Sequence, residues 1–457
     1  MSTSVARGHW NSRFGFILAA AGSAIGLGNI WRFPYTAGTY GGGAFVLMYL
    51  GFVFVIGVPV LLSELAIGRA TQQSPVTAFK TLVPSRFWPL VGGLGVLTGF
   101  AILSYYSVIA GLTVGYVGLA VTGRFSGDVD AAAVFGSMSS NSFYMIGLSM
   151  LFLVVTAFVV QKGVSGGIER AAKVLMPTFF VFLLFLVGRA LTLPGAGAGV
   201  EFLFAPDFSK IGLDGVVSAL GQALFSLSIG MGAMITYGSY LSKEENVPVS
   251  AMGVALFDTG IALIGGLLIF PTLFSVGADP AQGPGLVFVV MASIFDSLPA
   301  GTLFSIAFYS LLSIAALTST ISLLEVITAY FVDERGWRRG KAAWTVTAAC
   351  ALLAVPSALS LGAIPSLTGM FGGNGFLGLL DAIFGNISLS VGATLLCVFV
   401  AWVWGVPRAL EAIEGGGHRL PGRAAWGLLV RWICPLAISF VLVMYVVQNV
   451  LPVFTGG

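Results

Sequence analysis

Apolar residues run in stretches of about 20 or more from one end of this 457-residue chain to the other, separated by short turn-like or charged segments. A helical stretch of that length covers ~30 Å of hydrocarbon, so the pattern demands a bundle of membrane-crossing helices. Composition agrees: 57% of residues are hydrophobic and 9% are charged, against roughly 25% charged in a soluble domain. Eleven spans are expected, at about 14–37, 42–68, 88–122, 143–160, 167–188, 215–241, 250–276, 301–331, 342–360, 376–404 and 425–451. No cleavable signal peptide is expected, because the first apolar run is long and lacks a small-residue cleavage site.

Lys and Arg set the orientation. With the N-terminus in the cytoplasm, 17 of the 21 basic residues fall inside, and only Arg32, Arg124, Arg189 and Lys210 lie outside or near the outer end. That asymmetry places the C-terminus outside and explains the net charge of +3 as a topology signal rather than a nucleic-acid surface. Cys350, Cys397 and Cys434 each sit within an apolar span, without metal-ligand spacing, and are read as packing residues.

The first span is interrupted. Gly22-Ser23-Ala24-Ile25-Gly26-Leu27-Gly28-Asn29 carries three glycines and an amide where a continuous helix would carry bulky apolar residues. In a bilayer every backbone N–H and C=O needs a partner, so such a break implies freed peptide groups that coordinate something else, an ion and a zwitterion. A matching break, from Gly221-Gln222 to Gly230-Met231-Gly232, interrupts span 6. Breaks at corresponding positions of two five-span halves point to an inverted-repeat transporter, with half-helix N-termini facing a carboxylate and unwound carbonyls holding a cation. Glycines that only permitted close helix packing would not require the polar side chains of each break.

These segments carry a resemblance. Arg7-Gly8-His9-Trp10, the run from Gly22 to Asn29-Ile30-Trp31-Arg32-Phe33-Pro34, Gly41-Gly42-Gly43-Ala44-Phe45, and Gly221-Gln222 through Tyr240 resemble the neurotransmitter:sodium symporter family in its bacterial, LeuT-like form, over spans 1 to 10 in order. The resemblance implies an all-α LeuT fold in a single domain, 1–457, with repeats at about 12–188 and 214–404 and an additional helix at about 425–451. It implies a first sodium site from the Ala24 carbonyl, Asn29, Ser226 and Asp258, with the substrate carboxylate as a further ligand. A second would use the carbonyls of Gly22, Ile25 and Ala315 and the hydroxyls of Thr318 and Ser319. Hydroxyls and carbonyls suit a hard cation. Thr318-Ser319-Thr320 alone would be weak, since such runs often bond the carbonyl one turn back.

Asp258 departs from many members, which have an amide there, while Ala262 one turn on offers neither acid nor hydroxyl. A carboxylate within a span is a functional candidate by default. Relatives that need chloride use it to balance sodium near this point, so a fixed charge on Asp258 implies chloride independence; a protonatable acid also suggests proton return. Simple structural pairing is the alternative.

By the same resemblance, the Leu27 and Gly28 amides and the Tyr106 hydroxyl hold a substrate carboxylate, and carbonyls around Ala24, Phe225 and Ser228 hold its ammonium. Ser23, Ile102, Ile109, Phe225, Met231, Ser319 and Leu323 form a mostly apolar side-chain pocket suited to a neutral hydrophobic amino acid. Gly26 stands where monoamine carriers have an aspartate, leaving room for the substrate's own carboxylate. Glycines on both sides of Met231 would let the pocket flex.

Arg32 and Asp381 match an outer ion pair, with Phe225 as an aromatic lid; Arg7 and Asp333 match an inner pair, with Trp10 beneath. Exposed ion pairs contribute ~0–1 kcal/mol, suitable for gates, although Arg32 could also be a snorkelling anchor. Gly167 and Pro177 match a pattern at which relatives unwind span 5, or mark an ordinary kink. Loops 123–142, 189–213 and 277–300 are expected outside. Glu64 is read as bonding toward the broken helix; Glu325 has no assigned role. His9 and His418 do not resemble a metal pair, no phosphate-cradling motif is present, and no nucleophile–base set supports an enzyme.

The expectation is therefore a sodium-coupled symporter of hydrophobic L-amino acids, working by alternating access in a bacterial inner membrane, with no nucleic-acid or obligate protein partner evident. A carrier of a smaller amino acid or osmolyte, or a non-transporting receptor of the same fold, is the alternative.

Overall fold

The computed structural model describes residues 8–125, 130–281 and 283–455. Those residues are helical apart from turns and an isolated bridge between Gly42 and Pro206. Among the described residues, nine helices are long and apolar enough to cross a membrane: Gly43–Thr71 (span 2), Trp88–Val121 (span 3), Ser142–Val160 (span 4), Val164–Leu191 (span 5), Val247–Ser275 (span 7), Gly301–Arg335 (span 8), Arg339–Leu359 (span 9), Gly375–Ile413 (span 10) and Arg423–Val453 (span 11). Span 1 is a bent pair, Arg13–Ala24 and Gly28–Thr39, at 52°. Span 6 is Leu213–Ser226 followed by Ala233–Gly238. Ten of the eleven expected spans are thus long and apolar enough to cross, span 1 as a bent pair, while the two segments of span 6 are shorter; span 10 runs nine residues beyond its expected end at 404.

The long connections are more ordered than their Gly/Ala/Ser-rich composition suggested, carrying the short helices Ala131–Ser139, Ala196–Phe204 and Val290–Ser297. The first is nucleated by Asp130, whose carboxylate accepts the N–H groups of Ala132 and Ala133, each at 3.0 Å.

Spans 8 and 3 form the centre, with 83% and 72% of their most apolar windows buried, whereas spans 5 and 11 bury only 33% and face outward. Hydroxyl pairs hold the two central spans to each other, Thr113 to Ser313 at 2.8 Å, and span 8 to span 4, Thr156 to Thr320 at 2.9 Å. In an apolar medium such pairs supply the directional contacts that hydrophobicity cannot.

Both breaks have local causes. Span 1 stops where Ile25 turns extended (φ −69°, ψ 107°), and the Asn29 side chain then accepts the Gly26 N–H at 3.1 Å. Span 6 stops where Ser228, Gly230 and Gly232 adopt φ of +53°, +90° and +75°. At Gly230 any Cβ would also run into the Leu389 carbonyl. The N–H groups of Gly230 and Met234 are taken by the buried Glu64 of span 2, at 2.7 and 3.2 Å, as expected for that acid.

Candidate functional site

The two breaks meet at the centre of the bundle, and three polar side chains converge there. The Asn29 Nδ2 donates to both the side-chain oxygen (2.7 Å) and the carbonyl (3.0 Å) of Asp258, and to Ser226 Oγ at 3.2 Å. Ser226 Oγ donates to the other Asp258 oxygen at 2.7 Å, with the Tyr49 hydroxyl 3.4 Å from both. Asp258 is fully buried. Its hydrogen-bond partners are neutral, so the cluster carries an uncompensated carboxylate that suits a cation. The Asn29 amide oxygen, expected to ligate sodium, accepts the Gly26 N–H, and its amide hydrogens face the carboxylate. Rotating the amide exchanges oxygen for nitrogen. Ala24 closes the first half of span 1.

A second oxygen cluster lies where span 8 crosses span 1. Thr318 Oγ1 is 2.9 Å from the Ala315 carbonyl and 3.5 Å from that of Ile25, and Ser319 Oγ is 3.3 Å from Ala315 O. Gly22 makes the crossing close: a Cβ there would stand 3.3 Å from Thr318 Cβ. Among the described residues no three His, Cys, Asp or Glu side chains converge. Such oxygen-rich clusters with little charge suit a hard monovalent cation.

Between the clusters is a small enclosure walled by Ser23, Ala24, Gly26, Gly28, Ile102, Tyr106, Phe225, Ser228, Met231, Ser319, Ser322, Leu323 and Leu389. Ser322 and Leu389 were not anticipated. The enclosed volume is about 30 Å³, enough for water but not for a whole amino acid. The Leu27 N–H donates to the Tyr106 hydroxyl at 3.2 Å, and Ser228 Oγ to the Ser23 carbonyl at 3.0 Å. The Ser23 hydroxyl is buried without a protein partner, a polar group left for a ligand. A Cβ on Gly26 would lie 2.7 Å from Ser319 Oγ and 3.2 Å from the Tyr106 hydroxyl, so no side chain fits there as the site stands.

Above the enclosure lies an open chamber of about 600 Å³, and Ile109, expected in the pocket, lines this chamber instead, about a turn beyond Tyr106. Phe225 separates the two spaces, with the Arg32 guanidinium 4.7 Å above its ring. The expected Arg32–Asp381 pair is corrected to a relay. Arg32 donates to Asn386 Oδ1 at 3.3 Å, and Asn386 donates to Asp381 Oδ2 at 3.2 Å. The π-helical turn Asp381–Ser388 places the amide between them, and Tyr105 also donates to Asp381 at 2.8 Å.

The opposite end of the bundle is closed. Trp10 lies half-buried across the second half of span 6, donating to the Tyr237 carbonyl at 3.1 Å and edge-on to Tyr237 and Tyr240. Asp333 accepts the Ser74 N–H at 2.6 Å; its expected partner Arg7 lies outside the described residues. Glu325 is a buried junction, paired with Arg339 of span 9 and accepting from the Tyr240 hydroxyl at 2.5 Å. The buried Glu169 of span 5 accepts the Asn11 N–H at 2.7 Å and the Ser12 hydroxyl at 3.2 Å, at the start of span 1, and pairs with Lys173 at 2.6 Å. Neither junction was anticipated, because a lone acid names no distant partner. Span 5 runs helically through Gly167 and Pro177.

The model of a family described as the sodium:neurotransmitter symporter family matches residues 7–128 and 133–455. An uncharacterized sodium-dependent transporter of Bacillus subtilis is 40% identical over 94% of this chain and 96% of its own length. The sodium- and chloride-dependent glycine transporter 2 of Xenopus laevis is 25% identical over 96% of this chain and 64% of its own. Among solved structures, MhsT in complex with L-phenylalanine superposes with a TM-score of 0.89 and 42% identity, covering 96% of this chain and all of that one.

Proposed function

Since the chain belongs to the sodium:neurotransmitter symporter family, whose members are sodium-coupled transporters and not enzymes, we propose that it carries neutral hydrophobic L-amino acids, aliphatic and aromatic, into the cell through a LeuT-type cycle. Sodium dependence and the fold follow from membership. The observation that carries it is Gly26. Beneath Tyr106 and Ser319 there is no room for a protein carboxylate, so the substrate's carboxylate completes the Asn29–Ser226–Asp258 cluster and couples substrate to the first sodium. The Thr318–Ser319 cluster holds the second. The related MhsT was crystallised with L-phenylalanine, which supports an apolar side chain.

The 30 Å³ enclosure must widen to admit such a substrate, and Met231, between glycines at φ +90° and +75°, is the element free to move. That tightness also favours the competing reading, a smaller amino acid or osmolyte. Asp258 supplies a fixed negative charge, so chloride is not required. The repeats run over about 12–188 and 214–404, and the N-terminus is cytoplasmic in a bacterial inner membrane, with the closed end inward. Uptake of radiolabelled tryptophan into proteoliposomes under an inward sodium gradient tests the reading. Accumulation blocked by leucine is expected; competition by glycine but not leucine would support the smaller substrate, and binding without accumulation a receptor.

A further inference from the structure

A groove of about 710 Å³ lies well away from the substrate path, where spans 3, 8 and 9 part beside the short helix Pro75–Leu82. Its walls include Val96, Leu97, Phe100, Phe331 and Val346, and Lys80 is its one charged lining residue. It opens sideways, since Leu90 and Leu97 are 67% and 51% exposed. Gly93 faces open space, with nothing within 4 Å of a built Cβ.

Depth and charge identify the occupant. From Phe100 to Pro89 the groove follows span 3 for ~16 Å, beginning ~9 Å from the level of Tyr106 in the central pocket. With Tyr106 at mid-membrane, that range takes in the last ~6 Å of the inner hydrocarbon and runs on through the headgroup layer. Helical spacing carries the groove-lining faces one turn further to Arg335, four residues after Phe331, and to Lys341, four before Thr345. Both are exposed. With Lys80, they set three cations near the mouth; Lys80 contacts Glu334 at 2.5 Å, and the Lys341 ammonium lies over the Trp337 ring at 4.7 Å. A sterol or neutral acyl ligand would make no use of that rim.

We propose that the groove binds an anionic phospholipid of the cytoplasmic leaflet, one acyl chain along span 3 and the phosphate held at the Lys80–Arg335–Lys341 mouth. The site rests on the orientation proposed above but not on the substrate assignment.

Native mass spectrometry of the full-length protein, titrated in detergent with phosphatidylglycerol or phosphatidylcholine of identical chains, tests it. The wild type should bind one phosphatidylglycerol at least about tenfold more tightly than phosphatidylcholine, from a net excess of two positive charges over Glu334 at about fivefold each. Gly93→Leu, which fills the groove from a position with free space, should lose that binding, and Lys341→Glu should remove the headgroup preference. Equal affinity of the wild type for the two lipids overturns the proposal without any variant. So does unchanged binding in Gly93→Leu that melts like wild type. Sodium-dependent amino-acid binding in the same preparations reports separately on the transport reading.

Discussion

Gly26→Ala adds one methyl group where the two cation clusters and the substrate enclosure meet. Its backbone is not in the left-handed region, so the change is steric rather than conformational. The new Cβ would stand 2.7 Å from Ser319 Oγ and 3.2 Å from the Tyr106 hydroxyl. A relaxed C···O contact is ~3.3 Å or more, so Ser319 must retreat by about 0.6 Å. Ser319 cannot do so freely, because its hydroxyl lies 3.3 Å from the Ala315 carbonyl and 3.5 Å from that of Ser23. Overpacking of this kind costs ~1–3 kcal/mol. If that cost falls on the bound state, substrate affinity drops roughly 5- to 150-fold. Gly28→Ala is the comparison: its Cβ would meet the edge of Phe225 at 3.1 Å and Gln222 at 4.0 Å, and the ring borders the open chamber into which it can shift. Scintillation proximity binding of radiolabelled leucine, over a sodium titration, should show a large loss for Gly26→Ala in both substrate and sodium affinity and a small one for Gly28→Ala. Substituting Ser319→Ala into Gly26→Ala should restore part of the substrate affinity but not the sodium affinity. An affinity within twofold of wild type for Gly26→Ala would refute the steric reasoning.

Asp258→Asn keeps a side chain able to bond Ser226 but removes the only charge in the cluster. The Coulomb attraction at ~4 Å and an effective dielectric of 20 is ~4 kcal/mol, before desolvation offsets it, so the sodium half-saturation constant in uptake should rise by well over tenfold. Chloride replacement by gluconate should leave wild-type uptake unchanged, and inhibition would remove Asp258 from that role. Glu325→Ala leaves Arg339 without its buried partner and should destabilise by ~3–5 kcal/mol in thermal unfolding, whereas an exposed acid would cost almost nothing. Asn386→Ala removes the relay between Arg32 and Asp381; for solvent-facing contacts of ~1 kcal/mol, substrate dissociation should quicken by up to about fivefold, measured by dilution of bound radioligand.

The large features were legible because they are written locally. Apolar length marks the spans, glycine clusters mark the breaks, and an acid in span 7 marks a buried charge, each within a short window of sequence. Pairings between distant residues were not legible. Asn386 slips between Arg32 and Asp381 only because a π-helical turn sets it opposite the acid, and helical spacing drawn from sequence assumes the α period. Glu325 had no assigned role and Glu169 drew no reading, since Tyr240, Asn11 and Ser12 reach them from helices far apart in the chain and Arg339 across the turn between spans 8 and 9. Ile109 missed the pocket because a turn of helix is enough to cross the Phe225 boundary.

The grip of Glu64 on Gly230 and Met234 has a consequence for how such a carrier diversifies. Because a side chain from span 2 meets the backbone needs of the break, residues 227–232 are released from having to be good helix formers. The stretch that shapes the pocket is thereby insulated from the integrity of the bundle. Substrate preference can be rewritten at Met231 at little cost in folding, provided the acid in span 2 and the flanking Gly230 and Gly232 stay in place.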